Sequence, residues 1–327
     1  YVKVGEIEVK DFGEVMTPSS LVNDMLNTLP EEVWTNPKLK WLDPCSGVGV
    51  FPAVIIERLM DGLSDWESDS EKRYKHIVEN MIYMGELQPK NQFLALCAFD
   101  PKDEYGLNVY TGSFLEEDFD NHMKNVWNVD KFDIILGNPP YNASQNASGK
   151  RGGGKTLWDK FVLKSFEILK VNMFLVFVHP TLWRKPQSKR SSSKKVSDVM
   201  MNKQINYLEM HDSKDGMKVF NAGTRYDFYI IENCPTYKKT IINGEDRKKV
   251  EVDLRNYNFI PNYNLSLFDK LIPKEDKIEK CPIIFNVSNY ETRKEWVSNE
   301  KNNIFKHMLI HSTPKSGIRY EYSSRNE

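Results

Sequence analysis

Short hydrophobic runs recur along the chain, and longer stretches with hydrophobic residues at helical spacing separate them. The short runs predict buried strands over residues 40–43, 82–86, 108–110, 132–136 and 173–178. The helical spacing predicts helices over residues 51–60, 89–99 and 157–169. Because strands and helices alternate in this order, the pattern predicts an α/β protein with a doubly wound, mostly parallel sheet.

The pattern changes after residue 200. The hydrophobic runs 205–210 and 226–231 have no convincing helix between them, so we expect an antiparallel pair at the sheet edge. Further on, Asn243-Gly244-Glu245 separates two more short runs and is typical of a hairpin. The chain then becomes more polar. We therefore assign residues 1–245 to a first domain and residues 246–327 to a smaller C-terminal one.

Composition excludes several classes of protein. The chain has 327 residues, a net charge of -1 and 28% charged residues, which is ordinary for a globular protein and excludes a globally basic nucleic-acid binder. No hydrophobic run is long enough to cross a bilayer, and no signal-peptide pattern is present. The four cysteines are scattered without metal-ligand spacing, so we expect no metal site and no disulfide framework. A reducing, cytoplasmic compartment is the simplest interpretation.

One segment is locally basic despite the balanced total. Residues 184–195 contain no acid, and their basic residues are Arg184, Lys185, Lys189, Arg190, Lys194 and Lys195. Together with four serines and a proline, this composition predicts a flexible loop that follows a phosphate backbone. A solvated surface loop with no ligand is the alternative interpretation.

Asn138-Pro139-Pro140-Tyr141 follows the predicted strand 132–136 and carries the most specific chemistry. An exocyclic amine conjugated to a ring is a poor nucleophile, because its lone pair is delocalised. An Asn side-chain oxygen and a backbone carbonyl can accept its two hydrogens, and proline keeps the backbone rigid. Tyr141 offers a flat face for stacking on an extruded base. We take these four residues as catalytic; the alternative is a proline-rich strand exit.

Two features predict a nucleoside-containing cofactor. The segment Asp43-Pro44-Cys45-Ser46-Gly47-Val48-Gly49 joins the first strand to a helix, and its glycines allow a tight turn and a close approach to a ligand. Glu86 ends the second strand, where a carboxylate can accept both ribose hydroxyls. A plain strand-to-helix turn and an ordinary surface carboxylate are the alternatives.

The stretch from Gly149 to Thr156 satisfies the pattern of a phosphate-binding loop. No strand enters it directly, so we expect no ATP or GTP binding. A mobile loop beside a base pocket fits better, with Lys150, Arg151 and Lys155 touching phosphates.

With these motifs, the chain resembles S-adenosylmethionine-dependent amino-methyltransferases, most of all adenine-N6 DNA methyltransferases of restriction-modification type. The resemblance runs from Gly13 to about Asn233. It implies a seven-stranded, Rossmann-like methyltransferase sheet with an antiparallel edge. The implied cofactor-binding residues are Thr17, Pro18, Asp43, Pro44, Cys45, Gly47, Gly49, Glu86, Ser113 and Phe114. Ser113 stands where this family usually has an Asp, and Phe220 lies where an aromatic can pack against a flipped base.

The motif order resembles the gamma arrangement, in which target recognition follows the catalytic region. The resemblance implies double-stranded DNA with a flipped adenine as substrate, and a restriction or recognition partner. Residues 311–320 look like the beginning of a target-recognition region. Three alternatives stay open: a release-factor glutamine methyltransferase, an RNA adenine methyltransferase and a catalytically silent DNA-binding subunit. The short N-terminal arm and the basic segment favour the DNA enzyme.

Overall fold

The computed structural model describes residues 16–142, 156–185, 193–271, 295–312 and 317–325. The chain divides into two compact units, Tyr1–Ile272 and Pro273–Glu327. The division lies later than the boundary expected at residue 245. The reason is that residues 249–252 pair with the strand before them and so extend the main sheet.

The first unit is built on one nine-stranded sheet within the described residues. Its strands are β1 Trp41–Asp43, β2 Ile82–Glu86, β3 Asn108–Thr111, β4 Phe132–Gly137, β5 Leu169–Pro180, β6 Lys203–His211, β7 Tyr226–Pro235, β8 Thr240–Asn243 and β9 Lys249–Val252. Their order in the sheet is β3-β2-β1-β4-β5-β7-β6-β8-β9. Strands β1 to β5 are mutually parallel, whereas β7 is antiparallel to both its neighbours. The predicted α/β class and antiparallel edge are confirmed, with the β8–β9 hairpin added.

Helices cover the sheet. They are α1 Ser19–Leu26, α2 Val50–Gly62, α3 Ser70–His76, α4 Pro89–Phe99, α5 Glu117–Asn125, α6 Trp158–Ile168, α7 Lys194–Met201, α8 Ser213–Phe220 and α9 Leu265–Leu271. The sequence predicted no helix between β6 and β7, yet α8 lies there. It begins where the Asp212 carboxylate accepts hydrogen bonds from the backbone N–H groups of Lys214 and Asp215. The single buried residue of α8 is Gly216, so the sequence shows no stripe of buried hydrophobic residues that would have predicted this helix.

Two hydrophobic clusters lie on opposite faces of the sheet. Neighbouring residues of one strand fall into different clusters: Ile135 and Leu175 pack on one face, whereas Ile134 and Val176 pack on the other. Because both faces are covered, the central strands are hydrophobic along their whole length.

The carboxyl ends of β1, β2, β4, β5 and β6 lie at one edge of the sheet, because these strands run in the same direction. Ligands of open α/β sheets bind at this edge. Here it carries residues 43–49, 86–88 and 137–141, which include most of the residues predicted to bind cofactor and substrate.

The second unit contains a three-stranded antiparallel sheet in the described residues, in the order β10-β12-β11. Its strands are β10 Val297–Ser298, β11 His307–Ser312 and β12 Arg319–Ser323. Met308 and Ile310 of β11 are exposed and pair with Tyr322 and Tyr320 of β12. No helix among the described residues is long and hydrophobic enough to span a membrane.

Candidate active site

The segment 138–141, predicted to be catalytic and called the catalytic segment below, leaves the sheet through a glycine. Gly137 ends β4 with φ at 152°, and a Cβ atom there would lie 2.8 Å from Asp43 Oδ1 and 3.3 Å from Cys45 Sγ. Only glycine therefore lets β4 end this close to the loop after β1. The two predicted motifs, one for the cofactor and one for the substrate amine, are held in direct contact by this approach.

Asn138 has one end of its amide fixed and the other end unsatisfied. Its Nδ2 donates a hydrogen bond to Thr17 Oγ1 at 3.1 Å. Its Oδ1 is buried and accepts no hydrogen bond from any residue that the structure describes. An unpaired buried acceptor costs about 1–3 kcal/mol, and because Asn138 lines the first cavity, a ligand there can supply the missing donor.

Tyr141 is the last residue of the catalytic segment. Burial raises the pKa of its phenol well above the usual range, so the hydroxyl stays neutral under physiological conditions. Its backbone carbonyl accepts a hydrogen bond from Leu157 N at 3.1 Å, and the next residue, Asn142, pairs with Thr156. These two contacts clamp the segment to the start of α6.

Two cavities meet at the catalytic segment. The first has a volume of about 220 Å³, and its wall includes Pro44, Gly47, Glu86, Ser113, Asn138 and Pro140. The second has a volume of about 440 Å³, and its wall includes Tyr141, Trp158, Thr181, Lys185, Thr224 and Asn262. Asn138 and Pro140 thus line the first cavity and Tyr141 lines the second, so the segment contributes to the walls of both.

The glycine loop after β1 is tied to Glu86 in the first cavity. Gly47 has φ at 55°, and its backbone N–H donates to Glu86 Oε2 at 2.8 Å. The backbone N–H of Gln88 donates to Glu86 Oε1 at 2.7 Å. Glu86 is 7% exposed, and these two hydrogen bonds orient its carboxylate from both sides. Gly49 packs closely against the end of α4, since a Cβ atom on Gly49 would lie 2.7 Å from the Phe99 ring.

Replacing Glu86 with glutamine should weaken S-adenosylmethionine binding at least tenfold. One of the two backbone N–H groups would then face an amide NH₂ instead of an acceptor, and losing a hydrogen bond to a charged group costs about 1.5–3 kcal/mol. Titration calorimetry of the DNA-free protein measures this. Glu57→Gln makes the same change at an exposed position of α2 and serves as control. Equal affinities for both variants would remove Glu86 from the cofactor site.

Asp43 is buried at the end of β1. Its Oδ1 accepts a hydrogen bond from Cys45 N at 3.1 Å, whereas Oδ2 has no partner among the described residues. Burial raises the pKa of this carboxyl to about 7, and the nearby Glu86 charge adds to the rise, while the Cys45 N–H opposes it. Asp43 therefore titrates near neutral pH beside the cofactor cavity.

The raised pKa of Asp43 predicts how folding stability changes with pH. The folded state holds this proton more tightly than the unfolded chain, so the stabilisation is complete below about pH 4 and is lost as pH rises to about 7. Asp43→Asn removes this dependence. We expect its stability relative to the native protein to improve by up to about 4 kcal/mol between pH 4 and pH 8. Urea unfolding at both pH values measures the difference; a constant difference would contradict the raised pKa.

Ser113 and Phe114 follow β3 and line the first cavity. The Ser113 hydroxyl already accepts a hydrogen bond from Leu115 N at 3.3 Å. Phe114 is buried, and its ring centroid lies 4.9 Å from that of Phe119 and 5.1 Å from that of Phe161. Phe114 thus belongs to the core and to the cavity wall at once. Its contact with a cofactor adenine stays a prediction.

Thr17 and Pro18 precede α1. The Pro18 carbonyl accepts hydrogen bonds from the backbone N–H groups of Leu21 and Val22 and so begins the helix. Thr17 is 6% exposed and lines the first cavity. The structure therefore brings Thr17, which is predicted to bind the cofactor, to the cavity lined by the glycine loop and to Asn138.

The prediction that Arg184 contacts a DNA phosphate is wrong. Its guanidinium is 2% exposed and forms two hydrogen bonds to the Asp227 carboxylate, at 2.6 and 3.0 Å. It also donates to Ile260 O at 3.1 Å and to Asn262 Oδ1 at 3.0 Å. Sequence composition placed Arg184 in a flexible loop, but it ends a short turn that folds onto β7.

The other basic candidates fall into three groups. Lys185 is exposed at the rim of the second cavity and remains a candidate for phosphate contact. Lys194 and Lys195 lie in the first turn of α7, so the predicted loop ends before them. The remaining candidates lie outside the described residues: Lys150, Arg151, Lys155, Lys189 and Arg190.

Phe220 ends α8 and packs edge-to-face on Tyr226, with ring centroids 4.9 Å apart. Tyr226 in turn stacks on His211 at 4.3 Å. Packing thus accounts for Phe220, and its contact with a base stays a prediction.

The sequence did not single out most residues that line the second cavity. Thr181 follows the carboxyl end of β5, so the rule for parallel sheets could have identified it. Thr224 precedes an antiparallel strand, and Asn262 belongs to a distant irregular segment. No local pattern marks either residue, because only the folded chain brings them together.

Comparison with known proteins supports the chemistry that this geometry indicates. Residues 63–220 match the family described as Eco57I restriction-modification methylase. The chain is also 27% identical, over 320 aligned residues, to an adenine-specific methylase of Mycoplasma pneumoniae. That alignment covers 75% of this chain and 74% of the relative.

Solved structures share the fold at low sequence identity. A modification subunit assigned to a type I restriction enzyme of Vibrio vulnificus YJ016 has a TM-score of 0.52 and 16% identity, over 74% of this chain and 50% of that one. The M protein of the type I restriction enzyme EcoKI has a TM-score of 0.51 and 17% identity, over 70% of this chain and 47% of that one. The chain thus spans about half the length of these subunits. The family match, the relative and the shared fold confirm the resemblance that the motifs indicated, to the adenine-specific methyltransferases of restriction-modification systems.

Proposed function

We propose that this chain transfers a methyl group from S-adenosylmethionine to the N6 amino group of adenine in DNA. The observation that carries the proposal is the unsatisfied Oδ1 of Asn138, which lines the first cavity in a segment whose last residue, Tyr141, lines the second. A planar amine placed against this segment would donate to Oδ1 while its nitrogen faces the first cavity.

The first cavity fits an adenosine-bearing cofactor. Glu86 lines this cavity, and two backbone N–H groups orient its carboxylate, which is the type of acceptor that ribose hydroxyls require. A Cβ atom on Gly47 would meet nothing within 4 Å, so the backbone there lies open to the cavity. Phe114 adds an aromatic surface. S-adenosylmethionine supplies a methyl group already activated on a sulfonium, so these residues have only to bind and orient it.

The second cavity is the proposed location of the adenine after it leaves the duplex. Tyr141 and Trp158 contribute aromatic surface, and Thr181, Thr224 and Asn262 contribute polar groups. Extruding a base costs a few kcal/mol, which stacking and phosphate contacts must offset. Lys185 at the cavity rim is placed to provide one such contact.

Asn138 Oδ1 and the Pro139 carbonyl are the proposed acceptors of the two amino hydrogens. Accepting both hydrogens localises the nitrogen lone pair and directs it toward the methyl group of the cofactor in the first cavity. Positioning then supplies most of the rate acceleration. The surplus proton leaves the product amine to water, so no side chain needs to act as a dedicated base.

The C-terminal unit is the proposed beginning of a target-recognition region. It follows the catalytic unit in the chain, as the gamma motif order implies. The residues that choose the DNA sequence would act through the major groove, where base pairs are distinguishable. A restriction or recognition subunit is the proposed partner, and ATP is not part of the reaction.

Labelled S-adenosylmethionine, offered with duplex DNA, RNA or release factor, tests the proposal. We expect label in DNA, recovered as N6-methyladenine by mass spectrometry of the nucleosides. Asn138→Ala is the negative control. Label on RNA or on a glutamine side chain would replace the proposed substrate with one of the alternatives.

A further inference from the structure

Thr17 contacts the catalytic amide although 121 positions separate it from Asn138 in the chain. Its hydroxyl accepts the hydrogen bond from Asn138 Nδ2, and its side chain is 6% exposed. The position is held beside α1, because the next residue, Pro18, caps that helix. Leu21, Val22, Met25 and Leu26 anchor that helix in the core.

A side-chain amide has an acceptor end and a donor end, and only one of them suits the substrate. An amino group brings hydrogens, so Asn138 must present Oδ1. If the amide were reversed, Nδ2 would face the amino group and two donors would meet. The Thr17 hydroxyl gives Nδ2 a partner on the opposite side and thereby favours the productive orientation.

We propose that Thr17 is a positioning residue for methyl transfer, which holds Asn138 Oδ1 toward the substrate amine. This inference rests on the proposed function. It adds to the cofactor contact predicted for Thr17 and Pro18, because here Thr17 acts on the substrate amine through Asn138. Accepting from Asn138 also leaves the Thr17 hydroxyl hydrogen available to the first cavity.

Thr17→Val tests the proposal, because valine has nearly the same shape and accepts no hydrogen bond. We expect kcat at saturating S-adenosylmethionine and DNA to fall about tenfold or more, since small misplacements of reacting groups cost this much. The cofactor Kd from calorimetry should stay within about threefold, because a neutral hydrogen bond contributes little net free energy. Thr17→Ser keeps the hydroxyl and should retain most of the native kcat.

The alternatives give different results. If Thr17 only binds cofactor, the valine variant will show a raised Kd and KM with an unchanged kcat, which overturns the positioning role. If Thr17 is only structural, the melting temperature will fall and serine will not restore kcat. A wild-type protein that methylates none of the substrates overturns the proposed function and this inference together.

A measurement without substrate separates the two proposals further. The side-chain amide resonances of Asn138 can be assigned by their loss in Asn138→Ala. We expect them to shift and broaden in Thr17→Val but not in Thr17→Ser. Unchanged resonances in the valine variant would overturn the positioning role, whatever the activity.

Discussion

Replacing Asn138 with alanine is expected to reduce methyl transfer about 10³-fold or more while leaving the affinity for S-adenosylmethionine nearly unchanged. The variant loses a buried acceptor in the wall of the first cavity that the described residues leave unpaired. Without it, the amino nitrogen keeps its lone pair in the ring and is no longer aimed at the methyl group. Cofactor binding depends chiefly on the glycine loop and Glu86, which keep their hydrogen bonds to each other.

Single-turnover methylation and titration calorimetry measure the two quantities separately. Asn125→Ala is the matched control, since it makes the same change at an exposed residue at the end of α5 that lines neither cavity. It should retain most of the activity. Equal losses of transfer and of cofactor affinity in Asn138→Ala would mean that Asn138 supports the cofactor cavity rather than the reaction.

Replacing Arg184 with methionine is expected to lower the free energy of unfolding by about 3–5 kcal/mol, because the Asp227 carboxylate would lose its buried partner. The guanidinium and the carboxylate are 2% and 0% exposed. Burial already raises the pKa of Asp227, and the Arg184 charge is the main influence that opposes the rise. The same substitution also frees Ile260 O and Asn262 Oδ1, so the wall of the second cavity should loosen.

Urea unfolding measures this loss. Arg255→Met is the matched control, because Arg255 pairs with Asp253 on the surface, where water screens the charges. It should leave stability unchanged within error. The double variant Arg184→Met/Asp227→Leu removes both buried charges and should recover part of the loss. If Arg184→Met alone is as stable as the native protein, the buried pair does not hold this region together.

The sequence predicted the elements that carry continuous hydrophobic patterns. The bounds of β2 and α4 agree with the expected ranges, because the hydrophobic pattern of each element is clear in the sequence. Helix α8 was missed because its buried position is a glycine. Helix α7 was missed because its lysines were taken as part of a loop. In each case, tertiary contacts stabilise an element that has a weak local signal.

The residues of the candidate site likewise divide into those that a local motif predicts and those that depend on tertiary contacts. Local motifs predicted the cofactor loop, Glu86 and the catalytic segment, since each follows a strand at the carboxyl edge. Arg184 was assigned to DNA because charge in a sequence does not reveal whether a side chain points to solvent or to Asp227. The contact between Thr17 and Asn138 joins distant parts of the chain, so no spacing rule could have predicted it.

The clamp beside Tyr141 has a consequence for how this protein can change in evolution. Asn142 pairs with Thr156, and the backbone N–H of Leu157 donates to the Tyr141 carbonyl. Residues 141–142 and 156–157 are therefore in direct contact. Because these contacts lie at positions 141–142 and 156–157, they hold the catalytic segment whatever number of residues separates those positions in the sequence. Related proteins can therefore differ in the number and identity of those residues while the catalytic segment keeps its place.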